Sequence, residues 1–257
     1  MFRAFFKKAN KLKEDIFMLD YEEVPQEERF FNEIYGYSDL KQLLSKMIVS
    51  KESVHTVLVG PPASGKTMFL LAIKKNMRDV FFIDGTNATG AGTVDKLFKY
   101  PKTKIMLIDE IEKMGRRDQN MLLNLLETGV LTVTKVKKTQ EIKFPGIKLF
   151  ATSNGIDLLS KPLRSRLIEL HLPEYDFNEF QEIVVKLAHT RHKLSREVGK
   201  KIAYVVWYEM KTKDVRDALQ LSTLVTSIED VTKTARTIMK YRPKEEEDEE
   251  YEEVKEE

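Results

Sequence analysis

Eight consecutive residues, Gly60-Pro61-Pro62-Ala63-Ser64-Gly65-Lys66-Thr67, fit the pattern G-x-x-x-x-G-K-S/T. Each residue type in that run has a phosphate-directed use. The glycines let backbone N–H groups turn inward onto anionic oxygens, and the N-terminus of the helix expected from Met68 onward adds partial positive charge. Lys66 offers an ammonium to the β- and γ-phosphates of a nucleoside triphosphate, and Thr67 offers a hydroxyl to Mg²⁺. Thr56 to Val59, just before the run, is apolar and reads as a strand, so the loop lies between strand and helix as a phosphate cradle requires. Contacts to the nucleotide are therefore expected from Gly60, Pro61, Pro62, Ala63, Ser64, Gly65, Lys66, Thr67 and Met68.

A second chemical pair follows. Ile105 to Ile108 form an apolar strand that ends in Asp109 and Glu110. A buried strand of this kind delivers its terminal carboxylates to the phosphate edge. Asp109 is placed to hold Mg²⁺ through water, and Glu110 to orient and polarise an attacking water. Asn154 closes the strand from Ile147 to Ser153 and is placed to position the same water. Arg164 and Arg166 precede the next strand, and Arg216 stands at a helix start; a guanidinium that reaches the γ-phosphate stabilises transition-state charge. The chemistry expected is binding and hydrolysis of ATP with Mg²⁺.

These groups need a scaffold. Five apolar runs, 55–59, 80–84, 105–109, 147–153 and 167–172, alternate with helical periods. That alternation predicts an α/β core with a five-stranded parallel sheet covered on both faces, which binds ligands at the carboxyl ends of its strands. From residue 176 the pattern is helical, with helices expected near 176–190, 195–211, 214–226 and 228–241. Asp176 with Glu179, and Ser227 with Asp230, mark helix starts, and Asp214 is a third N-cap candidate. The expected division is a variable segment over 1–30, a nucleotide-binding core over 31–174, a small helical lid over 175–243 and an acidic tail over 244–257.

Composition narrows the class. The chain has no cysteine, which excludes disulfides, zinc–thiolate sites and thiol catalysis. No apolar run approaches the roughly 20 residues of a membrane span, and the short start Met1 to Phe6 has no signal-peptide core. A cytoplasmic protein is expected. Phe2, Phe5, Phe6, Leu12, Ile16 and Phe17 recur at helical spacing with Lys7, Lys8, Lys11 and Lys13 between them. Such an amphipathic helix packs on its own domain or a neighbour more often than on a membrane surface. Residues 245–257 hold ten acids and one lysine, leaving a body of 42 basic and 31 acidic residues, net +11. That split suggests an anionic partner with a competing tail, or a solvated tail that aids solubility.

Taken together and in this order, the elements resemble the AAA+ ATPases over about residues 30 to 240. The resemblance assigns Walker A to 60–67, Walker B to 105–110, sensor 1 to Asn154 and sensor 2 to Arg216. It gives Arg166, or else Arg164, the part of an arginine finger acting on a neighbouring subunit. It implies a P-loop αβα core with a helical lid, an adenine pocket lined by Tyr35 and Gly36, and a homo-oligomeric ring, usually hexameric, with ATP between subunits. Within the superfamily the sequence is most similar to the RuvB-type branch-migration ATPases, through the glycine-containing segment from Asp84 to Phe98. Thr132 to Phe144 alternates like a hairpin, carrying Lys135, Lys137 and Lys138, and a hairpin at that point also resembles MCM and MoxR-type ATPases. RuvB differs at sensor 1 and carries a winged-helix domain after its lid. Here the sequence runs into an acidic tail, which counts against independent DNA binding.

Three uses of ATP fit these residues. A DNA-translocating or branch-migration motor would put Lys135, Lys137 and Lys138 on backbone phosphates, giving sequence-independent, salt-dependent binding. A protein-remodelling ATPase would use the Phe-rich N-terminal segment to dock a protein partner, although Gly85 to Thr93 lacks the aromatic residue of a threading pore. A clamp-loader-like switch would use ATP to gate assembly. The first is the expectation carried forward.

Overall fold

The computed structural model describes residues 28–32, 34–88, 90–135 and 138–242. The amphipathic segment expected near the N-terminus, the acidic tail and Lys137 lie outside the described residues. The fold divides between Glu174 and Tyr175 into two compact units.

In the first unit the helices are α1 (Glu28–Phe31), α2 (Ser38–Val49), α3 (Lys66–Asn76), α4 (Gly90–Lys99), α5 (Arg116–Thr128) and α6 (Lys161–Arg164). The strands are β1 (His55–Val59), β2 (Val80–Asp84), β3 (Ile105–Asp109), β4 (Val130–Lys135), β5 (Lys138–Lys143), β6 (Lys148–Ser153) and β7 (Ile168–His171). Five of them form one sheet in the order β2-β3-β6-β1-β7. Every pairing in it is parallel, so the carboxyl ends share one edge.

Side chains alternate across the central strands, and both faces are apolar. Val57, Val59, Met106, Ile108, Leu149 and Ala151 meet Leu97 of α4 and Leu122, Leu125 and Leu126 of α5. Leu58, Ile105, Leu107 and Phe150 meet Leu44, Met47 and Ile48 of α2 and Phe69, Leu70 and Ile73 of α3. Burying each of these large side chains contributes about 1.5–3 kcal/mol, which is why near-continuous apolar strands take the centre of a three-layer sandwich.

A buried charged residue departs from that apolar rule. Lys148 opens β6 and is buried, and its ammonium donates to the carbonyls of Ile48 at 2.6 Å and Ser50 at 2.5 Å. Those acceptors lie at the C-terminal end of α2, where orphan carbonyls carry partial negative charge.

β4 and β5 pair antiparallel, apart from the main sheet, in register from Val130 opposite Lys143 to Lys135 opposite Lys138. The hairpin expected from Thr132 thus begins two residues earlier. Its base closes where the Phe144 N–H donates to the Gly129 carbonyl at 2.6 Å.

The second unit holds α7 (Phe177–His192), α8 (Arg196–Tyr204), α9 (Val215–Leu224) and α10 (Ile228–Tyr241). The caps read from sequence are made. Asp176 accepts from the Glu179 N–H while Glu179 accepts from the Asp176 N–H, closing a capping box. Asp214 and Ser227 each accept from a backbone N–H of their own first turn. The helix expected over 195–211 is corrected: α-helical geometry stops at Tyr204 and a π-turn runs over Val205–Glu209. The wider turn keeps Val205 and Val206 both fully buried while the Trp207 and Tyr208 rings sit 5.7 and 4.9 Å from Phe177.

Candidate nucleotide site

The segments that follow β1, β2, β3 and β6 meet at the carboxyl edge of the sheet. After β1 the chain turns at Gly60, where an added Cβ would lie 2.7 Å from the Leu172 carbonyl oxygen, so only glycine lets the loop pass β7's end. The loop then runs through Pro61, Pro62, Ala63 and Ser64 to Gly65, which caps α3. Ala63 takes a left-handed backbone, φ 64°. Lys66 is buried, and its ammonium folds back onto the loop, donating to the carbonyls of Gly60 at 2.7 Å and Pro61 at 2.6 Å. Burial pulls this ammonium below the ordinary lysine pKa; the carboxylates of Glu112, Asp109 and Glu110, in that order, pull it partly back. Met68 is exposed in the first turn of α3.

Thr67 donates its hydroxyl to Asp109 Oδ1 at 3.0 Å. Two hard oxygens therefore converge beside the phosphate loop. That donor set suits Mg²⁺, which keeps several waters and takes its remaining ligands from phosphate oxygens.

The acid pair is held by neighbours that sequence reasoning did not single out. Thr152 of β6, 1% exposed, donates to Asp109 Oδ1 at 2.5 Å and accepts from the Glu110 N–H at 2.9 Å. Glu110 stands in left-handed backbone, φ 52° and ψ 53°, a conformation that costs about 1–2 kcal/mol in a residue with a side chain. Its carboxylate Oε2 accepts from the Thr86 hydroxyl at 3.0 Å. Thr86 arrives there because Gly85 lies against the Glu110 backbone: a Cβ on Gly85 would fall 2.2 Å from the Glu110 carbonyl oxygen. An Asp-Gly-Thr sequence at a strand end was the available signal, but nothing in it names Glu110 as the partner.

Asn154 follows β6 with an exposed side chain, and its backbone N–H donates to Glu112 Oε1 at 2.9 Å. The arginines of the α6 turn are both engaged within the chain. Arg164 forks onto Glu169 of β7, with Nε 3.0 Å from Oε1 and Nη2 3.3 Å from Oε2. Arg166 donates to the Pro162 carbonyl at 2.7 Å and forms an ion pair with Glu127 of α5. Tyr35 is exposed beside Gly36, which has φ 67°. It is the next ring, Tyr37, that reaches the phosphate loop, with its hydroxyl 3.4 Å from the Ser64 carbonyl oxygen and its edge on Phe69.

Arg216 belongs to the second unit. There its guanidinium pairs with the Asp214 carboxylate, Nη2 to Oδ2 at 2.7 Å. Desolvation pushes the Asp214 carboxyl up, but the hydrogen bonds and charge of Arg216 outweigh it and hold that pKa below the usual range. Lys135 and Lys138 are the last and first residues of the two hairpin strands. Among the described residues no helix is long and apolar enough to cross a membrane.

Known proteins match this arrangement. Residues 56–173 match the ATPase family associated with various cellular activities (AAA). The Holliday junction branch migration complex subunit RuvB of Wolbachia sp. subsp. Drosophila simulans is 29% identical over 179 residues, covering 65% of this chain and 54% of that protein. The RuvB subunit of Ehrlichia ruminantium is 27% identical, covering 64% of this chain and 52% of its own. The chain thus spans about half the length of the curated relatives it matches. Among solved structures, a Thermotoga maritima RuvB Holliday junction branch migration motor superposes with a TM-score of 0.61 at 19% identity, covering 82% of this chain and 72% of that one. A mutant of the same RuvB gives a TM-score of 0.65 at 21% identity, covering 82% and 73%. The fold agrees with these likenesses: residues 56–173 match the AAA family, and the parallel sheet with its flanking helices is similar to the fold of the RuvB structures.

Proposed function

We propose that this chain hydrolyses ATP and couples hydrolysis to the remodelling of DNA, as a helicase or branch-migration type of motor in recombination, repair or replication. The observation that carries the proposal is the meeting of Lys66, Thr67, Asp109 and Glu110 at one sheet edge, in a domain whose relatives are RuvB subunits. The backbone N–H groups of the loop and the Lys66 ammonium bind the triphosphate. To do so, Lys66 exchanges the Gly60 and Pro61 carbonyls for phosphate oxygens. Thr67 and Asp109 would hold Mg²⁺, which would neutralise charge on the phosphates. Glu110 takes the proton of the attacking water, with Asn154 orienting that water from the end of β6. Tyr35 and Gly36 line the adenine pocket.

The remaining charges act between copies. Arg166 is the finger that reaches a neighbour's γ-phosphate in a homo-oligomeric, hexameric ring. To reach it, Arg166 exchanges the Pro162 carbonyl and Glu127 for phosphate oxygens, while the fork of Arg164 on Glu169 ties α6 to β7. Arg216 senses nucleotide from the helical lid. Lys135, Lys137 and Lys138 of the hairpin contact DNA backbone phosphates, in keeping with a body charge of +11.

The test is steady-state ATP turnover of the full chain alone and with single-stranded, duplex and four-way-junction DNA at two salt concentrations. Salt-sensitive stimulation by one DNA form is expected, and charge reversal at Lys137 and Lys138 is expected to abolish it. Turnover indifferent to every DNA form would refute the DNA-motor reading and favour remodelling of a protein.

A further inference from the structure

We propose that Glu112 is a positioning residue for hydrolysis, whose carboxylate clasps the backbone of Asn154 and so sets where the water-orienting side chain stands relative to Glu110. This inference rests on the ATP-hydrolysing reading of the site. Glu112 comes two residues after Glu110. The left-handed backbone of Glu110 and the 3₁₀ turn over Ile111–Lys113 swing it off the line of β3. It is buried, 8% exposed, and Oε1 accepts from the Asn154 N–H at 2.9 Å. That bond is the third stitch between the ends of β3 and β6, after Thr152 on Asp109 and the Glu110 N–H on Thr152. The first two fix the acids; only the third fixes the asparagine. On its other side Asn154 is steadied by the Ser153 hydroxyl, which donates to the Gly155 carbonyl at 2.5 Å.

The second carboxylate oxygen makes the case for function over packing. Glu112 Oε2 is buried with no hydrogen-bond partner among the described residues. A buried carboxylate with a lone oxygen costs stability, and an apolar side chain of similar size would avoid that cost. Local conformations and charges of this kind persist where a site needs them. Glu112 is also, of the neighbouring carboxylates, the one whose charge acts most strongly to raise the Lys66 pKa against burial.

Two variants separate its parts. Glu112→Leu removes both charge and acceptor while filling the space; Glu112→Gln removes the charge and keeps an oxygen for the Asn154 N–H. ATP turnover, ATP KM and melting temperature are measured for both in the full chain, and for Glu112→Leu in an Asn154→Ala background. Expected for Glu112→Leu is a melting temperature at or above wild type and a kcat lower by about tenfold or more. Glu112→Gln should keep kcat within about threefold of wild type, and any rise in KM from the lost charge should be shared by the two variants. In the Asn154→Ala background Glu112→Leu should cost less than about twofold, because its route to the reaction is already gone. Equal losses of kcat with and without Asn154, or a Gln variant as slow as Leu, would overturn the role of Glu112 alone. A wild-type chain without ATP turnover would overturn the hydrolytic reading and this role with it.

Discussion

Replacing Thr152 with valine keeps the shape of a fully buried β-branched residue and deletes one hydroxyl. That hydroxyl makes two bonds at once, donating to Asp109 Oδ1 and accepting from the Glu110 N–H. A donor left without its acceptor costs about 1–3 kcal/mol, and a hydrogen bond to a charged group contributes about 1.5–3 kcal/mol. Asp109 is only partly buried, and water can replace one of its donors. The two losses share an atom and do not simply add, so the expected destabilisation is about 2 kcal/mol. For a chain of this size that lowers the melting temperature of the core transition by roughly 4–8 °C. Thr152→Ser restores the hydroxyl and loses one methyl, a cost of about 0.8 kcal/mol. Calorimetry on the full chain separates the two, and ATP turnover should fall at least about tenfold in valine and recover in serine. A valine variant that melts within about 1 °C of wild type and turns over normally would show that the Thr152 hydroxyl does not hold the acid pair.

Ala63→Gly should stabilise the ligand-free core by about 0.5 kcal/mol, since relief of the left-handed alanine slightly exceeds the entropy that glycine adds to the unfolded chain; destabilisation above about 1 kcal/mol in urea melts would count against it. For Lys148 the pH dependence has a definite sign. Burial lowers its folded pKa beneath the ordinary 10.5, so between those values the unfolded chain binds more protons and this group's contribution to stability rises with pH. Lys148→Met lacks that rise, so the stability of wild type relative to the variant should increase towards pH 10.5; a difference independent of pH would contradict the assignment.

Sequence and structure agree where one residue type has one physical use. Lys66 and Thr67 after a glycine turn, the acids ending an apolar strand, and the Asp176–Glu179 capping box were all readable from spacing. What was not readable depends on partners distant in the chain. Thr152 looks like any β-former until β6 is known to lie beside β3. Gly85 looks like a turn glycine until the Glu110 backbone is placed against it. Lys148 reads as a surface charge, because a lysine gives no sign that two carbonyls await it at the end of α2. The π-turn at Val205–Glu209 closes the helix, and its apolar residues Val205, Val206 and Trp207 prolong the helical pattern, so the sequence alone reads straight through it.

In the proposed function Glu110 activates the water that cleaves ATP. The most direct test is ATP turnover by the full chain with Glu110→Gln beside wild type, with ATP binding measured on both. The variant is expected to bind ATP as wild type does and to turn it over about a hundredfold more slowly or worse. A variant that hydrolyses ATP at the wild-type rate would contradict it.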